Sequence, residues 1–157
     1  MNTEARRAIF CVIMGAEDFA DALERLLRLP LAEKQDREVP RVLLECCLQE
    51  KAYNPYYEVL ASKLCERQKK HRLTLQLVVW DQIREIAPRE DDGDATVGGT
   101  SHDDVDDGGG GGGGGGVKPA ISVRRIANLA RFISGLLLSG ALAPGALKAR
   151  GLRLQKI

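Results

Sequence analysis

One hundred and fifty-seven residues, 44% apolar but only 4% aromatic, suffice for one domain with a core of Leu, Ala, Val and Ile. The formal net charge of +1 excludes a uniformly basic or acidic chain, yet it hides a segregation. Residues 1–90 hold fifteen basic and fifteen acidic side chains, residues 91–117 seven acidic and none basic, and residues 118–157 eight basic and none acidic. Such a cationic end suits an anionic partner, although basic residues are also the ordinary solvated side of a helix. The longest uncharged stretch, Phe132 to Leu147, is broken by Gly135, Gly140, Pro144 and Gly145 and is too short for a membrane span. MNTEARRAIF contains no signal-peptide core, so the expectation is a soluble cytoplasmic, nuclear or nucleolar protein without membrane contact.

In chain order, Thr3 is a candidate N-cap for a helix over roughly 4–14 with Ala8, Ile9, Cys11 and Val12 as its apolar surface. Ala16-Glu17-Asp18 predicts the opening of a second helix, its acidic first turn matched to the positive end of the dipole and Phe19, Leu23, Leu26 and Leu27 facing inward until Pro30. Asp36 is a candidate cap for the third helix, in which Pro40 is tolerable in the first turn. Val39, Val42, Leu43, Cys46 and Cys47, then Tyr57, Leu60, Ala61, Leu64 and Cys65, recur at three- and four-residue steps and spell an αα-hairpin. Asn54 can cap its second helix, with Pro55 at the first helical position. Leu73, Leu75, Leu77 and Val79 alternate as a strand would, but the length of 71–87 and the spacing of Trp80, Ile83 and Ile86 predict a helix. Five helices are thus expected over 4–87.

From Arg89 to Pro119 the composition changes to EDDGDATVGGTSHDDVDD and nine consecutive glycines, Gly108 to Gly116, a stretch with too little apolar surface to fold. Ile121, Val123, Ile126, Leu129, Ile133, Leu136 and Leu137 predict another helix carrying Arg124, Arg125 and Arg131, and Pro144 starts a last short one. The expected organisation is a first helical part, 1–90, a disordered acidic and poly-Gly insertion, 91–119, and final helices in 120–157. An all-α fold of antiparallel helix pairs, stacked as in HEAT-like repeats, follows, because one such pair cannot bury its apolar face alone.

Catalytic chemistry finds little to work with. The poly-glycine run trivially matches GxGxxG, but no strand precedes it and no GK[ST] follows. His71 and His102 are the only histidines, and the aspartates of 91–107 lack the fixed loop and terminal glutamate of a calcium hand. Cys11, Cys46, Cys47 and Cys65 sit at apolar helical positions and read as core thiols in a reducing compartment. Glu45, Glu50, Lys51 and Glu58 cluster around the hairpin turn, the carboxylates at solvent-facing positions, with pairing to Lys51 their simplest role. Tyr57 reads as core, and no catalytic residue, cofactor or metal site is expected.

IFCVIMGAEDFADALERLL (9–27), KQDREVPRVLLECCLQEKAYNPYY (34–57) and RRIANLARFISGLLLSGAL (124–142) resemble the MI domain, the C-terminal helical-repeat domain of nucleolar ribosome-biogenesis proteins. In that family it follows a middle domain similar to that of translation initiation factor four-G. The resemblance covers most of 4–90 and 120–148, with CCLQEKAYNPYY its most specific run. It departs at the acidic insertion and at the ending ARGLRLQKI. It implies a non-enzymatic protein interaction module in small ribosomal subunit biogenesis and pre-rRNA processing, located in the nucleus and nucleolus. Implied partners are proteins of pre-ribosomal particles, among them a DEAD-box RNA helicase of the initiation-factor-four-A class. Glu17, Asp18 and Glu50 match the family's acidic EDF and LQEK positions and are the candidate protein-binding residues. Two alternatives stand beside this: the related domain of a pre-mRNA splicing factor, or direct RNA binding through Arg124, Arg125 and Arg131 with Lys148, Arg150, Arg153 and Lys156.

Overall fold

The computed structural model describes residues 2–86 and 122–147. Seven α-helices, α1 (Thr3–Gly15), α2 (Phe19–Arg28), α3 (Glu33–Asp36), α4 (Glu38–Gln49), α5 (Pro55–Arg67), α6 (Lys70–Ile86) and α7 (Val123–Leu138), precede a 3-10 turn, Pro144–Leu147. No strand occurs among the described residues. The all-α expectation holds, including helix over Leu73 to Val79. The expected five helices up to residue 87 are six, because the one-turn α3 precedes α4. The insertion 91–119 lies outside the described residues, as do His102, Lys148, Arg150, Arg153 and Lys156.

The fold is organised around α4. Eight of its twelve residues are buried, and α1, α3, α5, α6 and α7 all pack on it. Leu43, Leu44, Cys47 and Leu48 face these neighbours. Leu60, Leu64 and Cys65 of α5, Leu75 and Val79 of α6, and Phe132 and Leu136 of α7 complete one continuous core. Two polar ties fix the helices around α4. On one side, Arg6 of α1 donates to Glu38 at 2.9 Å and to Glu45 at 2.7 Å, spanning two turns of α4. On the other, the buried amide of Asn128 in α7 donates to the carbonyl oxygens of Cys47 (3.2 Å) and Glu50 (3.0 Å), which end α4 without helical partners.

The hairpin turn follows the expected chemistry. Asn54 has extended backbone, its side chain accepts from the Tyr56 N–H at 3.1 Å, and Pro55 opens α5. Elsewhere the local chemistry differs from the sequence reading. Asn2, not Thr3, precedes α1 and makes no side-chain cap. Asp36 does not cap α4: it ends α3, where the Ala32 N–H donates to Gln35, and it pairs with Lys70 of α6. Pro144 begins a 3-10 turn whose Ala146 carbonyl accepts from Trp80 and Gln76.

Two expected core positions are exposed. Cys11 lies on the face of α1 opposite Ile9, Val12 and Ile13, which are the residues that pack. Phe19, the first residue of α2, is 39% exposed. The remaining thiols are core groups. Burial pushes Cys46 and Cys65 up to about 11 and Cys47 to about 12, so all three are protonated at neutral pH.

His71 is also buried, with Nε2 2.9 Å from Gln68 Oε1. Burial, then neighbouring Lys70, lower its pKa, against a smaller opposing pull from Asp36. With the folded value below the unfolded one, the unfolded chain binds the extra proton. This contribution to stability is therefore complete above about pH 6.5 and is lost as the pH falls toward the lowered folded value. Urea unfolding across that window should show stability declining with acidity, and His71→Gln should flatten the decline; an unchanged slope would refute the assignment. At the centre of the hairpin, Leu43 and Leu60 are fully buried. Leu43→Ala and Leu60→Ala should each cost roughly 2–5 kcal/mol in the same measurement.

Candidate protein-interaction site

Glu17 and Asp18 occupy the turn between α1 and α2. Asp18 does not lie within the second helix, as the sequence reading had it: its backbone is extended and its carboxylate accepts from the Asp21 N–H at 2.8 Å, so it caps α2. Asp21 in turn accepts from the Glu17 N–H at 3.2 Å and faces Arg25 at 3.5 Å. Both Glu17 and Asp18 are exposed. They are therefore available to a partner, though Asp18 has a structural duty as well.

Glu50 reaches the same end of the bundle by another route. It follows the last residue of α4, and its carboxylate accepts from the Tyr57 hydroxyl at 2.7 Å. The expected pairing with Lys51 is not seen among the described residues: Glu50 meets the Tyr57 phenol, and Lys51 is exposed. Burial, then this bond, push the Tyr57 hydroxyl well above its ordinary range. Tyr57 itself is core, as expected, with its hydroxyl 3.6 Å from the Met14 sulfur. Its neighbour Tyr56, edge-on to it at 5.3 Å between ring centres, donates to the Ile13 carbonyl at 2.8 Å. Burial and then the charges of Asp21 and Asp18 raise the Tyr56 pKa, placing those carboxylates within electrostatic reach of α5. The two tyrosines thus bring the α1–α2 turn and the α4–α5 turn together. Glu17 and Asp18 are exposed on the first of these turns, whereas Glu50, held by Tyr57 at the second, is half-buried rather than solvent-facing.

The other acidic residues of the hairpin are also engaged. Glu45 is held by Arg6, and Glu58 accepts from the Tyr53 hydroxyl. A Cβ at position 135 would overlap the Glu58 carboxyl, so Gly135 of α7 makes the room that this carboxyl occupies. Arg131 of α7 lies 5.3 Å over the Tyr53 ring, a cation–π contact. Of the other residues considered for RNA, Arg125 donates to Gln82 at 3.0 Å and Arg124 is exposed. Among the described residues no group of three or more His, Cys, Asp or Glu could hold a metal, and no helix is long and apolar enough to cross a membrane.

Sequence reasoning missed the Arg6 clamp and the Asn128 cap. Each left a faint signal: Glu38 and Glu45 stand two turns apart on one stripe, and Asn128 is the single amide within the apolar period of Leu129, Phe132 and Leu136. Neither signal names its partner, which lies 32 to 81 residues away.

The profile of the MA3 domain family matches residues 5–143. Nucleolar MIF4G domain-containing protein 1 of Homo sapiens is 54% identical over 86 residues, covering 55% of this chain and 10% of that protein. Suppressor of glycerol defect protein 1 of Saccharomyces cerevisiae is 36% identical over 145 residues, covering 90% and 15%. Pre-mRNA-splicing factor CWC22 homolog of Mus musculus is 29% identical over 81 residues, covering 52% and 9%. The chain spans about a tenth of the length of the nucleolar relatives it matches. With helix pairs, hairpin and comparison in agreement, the resemblance to the MI type is borne out: the chain belongs to the MA3 domain family.

Proposed function

We propose that this chain is a non-enzymatic protein interaction module of a nucleolar protein acting in small ribosomal subunit biogenesis and pre-rRNA processing. The observation that carries this reading is a contrast within one organism. The nucleolar relative of Mus musculus is 50% identical over 86 residues, whereas the splicing relative of the same species is 29% identical over 81. A nuclear and nucleolar location follows from the same likeness. Glu17, Asp18 and Glu50, gathered at the tyrosine end of the bundle, form the proposed contact surface, and a DEAD-box RNA helicase of the initiation-factor-four-A class is the proposed partner. A carboxylate rim of this kind adds more to orientation and association rate than to raw affinity. RNA binding through Arg124, Arg125 and Arg131 is the second reading, and it draws on the cationic balance of residues 118–157.

Affinity capture of the full chain from nuclear extract should recover small-subunit pre-ribosomal proteins together with a helicase. Recovery of splicing factors alone would move the chain to the other branch of relatives. Substitutions at the rim separate contact from fold. Asp18→Asn retains an N-capping oxygen and Glu17→Gln disturbs no cap, so both should leave stability within about 0.5 kcal/mol while weakening capture. Asp18→Ala should in addition lower stability by about 1 kcal/mol. Undiminished capture by the Glu17→Gln, Asp18→Asn double variant would remove this surface from the reading.

A further inference from the structure

α7 carries two largely uncharged faces, one buried and one exposed. Asn128, Leu129, Phe132 and Leu136 make the face buried against α4 and α5. Opposite them, at three- and four-residue steps, run Val123, Ile126, Ala127, Ala130, Ser134 and Leu138, all exposed. Val123 is 82% exposed and Leu138 90%. No charged side chain interrupts this outer face along sixteen residues, roughly 24 Å of helix. Single exposed apolar residues need no explanation, but their continuation along one helix face makes that face a candidate contact. The small residues at its centre, Ala127, Ala130 and Ser134, allow a second backbone to approach, while Val123, Ile126 and Leu138 supply bulk toward the ends.

Charge selects the occupant. Arg124 and Arg131, two turns apart and both exposed, border one edge of the stripe, and α7 contains no acidic residue. Arg131 is already ordered by its contact with Tyr53, which lowers the entropy lost on pairing. Antiparallel pairing of two copies of α7 would set these arginines against their own counterparts. Parallel pairing would leave them all without an anionic partner. The acidic stretch 91–107 of this chain has the complementary charge but offers only Ala95, Val97 and Val105 as apolar side chains. We propose that the outer face of α7 receives an amphipathic helix of another protein, its apolar stripe bordered by Asp or Glu that pair with Arg124 and Arg131.

The test uses the full chain and two labelled helical peptides with the same Leu/Ala face, one bordered by Glu and the other by Lys, each below its own self-association concentration. Fluorescence anisotropy should show saturable binding of the Glu-bordered peptide, about tenfold tighter than the Lys-bordered one at low salt. Ala130→Glu, which sets a carboxylate in the stripe and leaves the buried face intact, should abolish binding while circular dichroism and the thermal melt stay those of the parent. Ser134→Glu serves as the second variant should Ala130→Glu fold poorly. Equal binding of the two peptides, or parent-like binding by a well-folded variant, overturns the proposal. So does self-association in sedimentation that Ala130→Glu removes, which would assign the face to a second copy. Binding of single-stranded RNA that needs Arg124 and Arg131 but tolerates Ala130→Glu would likewise overturn it in favour of nucleic acid.

Discussion

The two hydrogen bonds from the Asn128 amide to the carbonyl oxygens of Cys47 and Glu50 are the contact on which this arrangement of helices depends. The Cys47 carbonyl at the end of α4 is met by Asn128 in a buried bond, and an unpaired buried carbonyl is expensive. The same amide also meets the Glu50 carbonyl, from a helix 78 or more residues away in sequence. Apolar contacts between α7 and the hairpin would tolerate sliding or rotation. An amide that must meet two carbonyls allows one register, the same use to which buried polar groups are put in coiled coils. The Arg6 clamp on Glu38 and Glu45 does the corresponding work for α1 at a wetter site, so its weight lies more in alignment than in stability.

That register sets the candidate surface. With α4 and α7 locked, the α4–α5 turn is held, and Tyr53, Tyr56 and Tyr57 leave it in three directions. Tyr53 meets Glu58 and Arg131, Tyr56 reaches the end of α1, and Tyr57 reaches Glu50. Each phenol binds a carboxylate or a helix-end carbonyl, so this end of the bundle is ordered by polar contacts laid over an apolar floor. Glu17 and Asp18 are presented on a fixed turn for the same reason, since Asp18 is itself part of the cap that starts α2.

The hairpin was legible in the sequence because its determinants are local: the period of Val39 to Cys47 and of Tyr57 to Cys65, the Asn54 cap, and Pro55 at the first position. Helix over 71–87 was legible too, since length outweighs a brief alternation of leucines. The exposure of Cys11 and Phe19 was not. Whether an apolar residue at the edge of a stripe is covered depends on where the next helix ends, which periodicity does not encode. The roles of Asp18 and Asp36 were misread for a related reason. Several residues at each helix start have capping side chains, and the choice among them follows from the path of the chain entering the helix. Glu50 was read as a surface charge because its partner Tyr57 was assigned to the core; the ring is buried while its hydroxyl stays within reach of a carboxylate.

The electrostatic state of the interior bears on what kind of work the surface does. Cys46, Cys47 and Cys65 are raised, Tyr57 is raised and His71 is lowered, each toward its neutral form and each chiefly because it is buried. A thiol held near 11 or 12 is a poor nucleophile at neutral pH, and an imidazole that resists protonation inside the core is no proton shuttle to solvent. These groups serve as packing material with satisfied polar tips. Charge is therefore spent at the periphery: a carboxylate rim on the α1–α2 turn, and Arg124 and Arg131 on α7. The α1–α2 turn and α7 thus present opposite charge on separate elements of the one bundle, over an interior kept neutral.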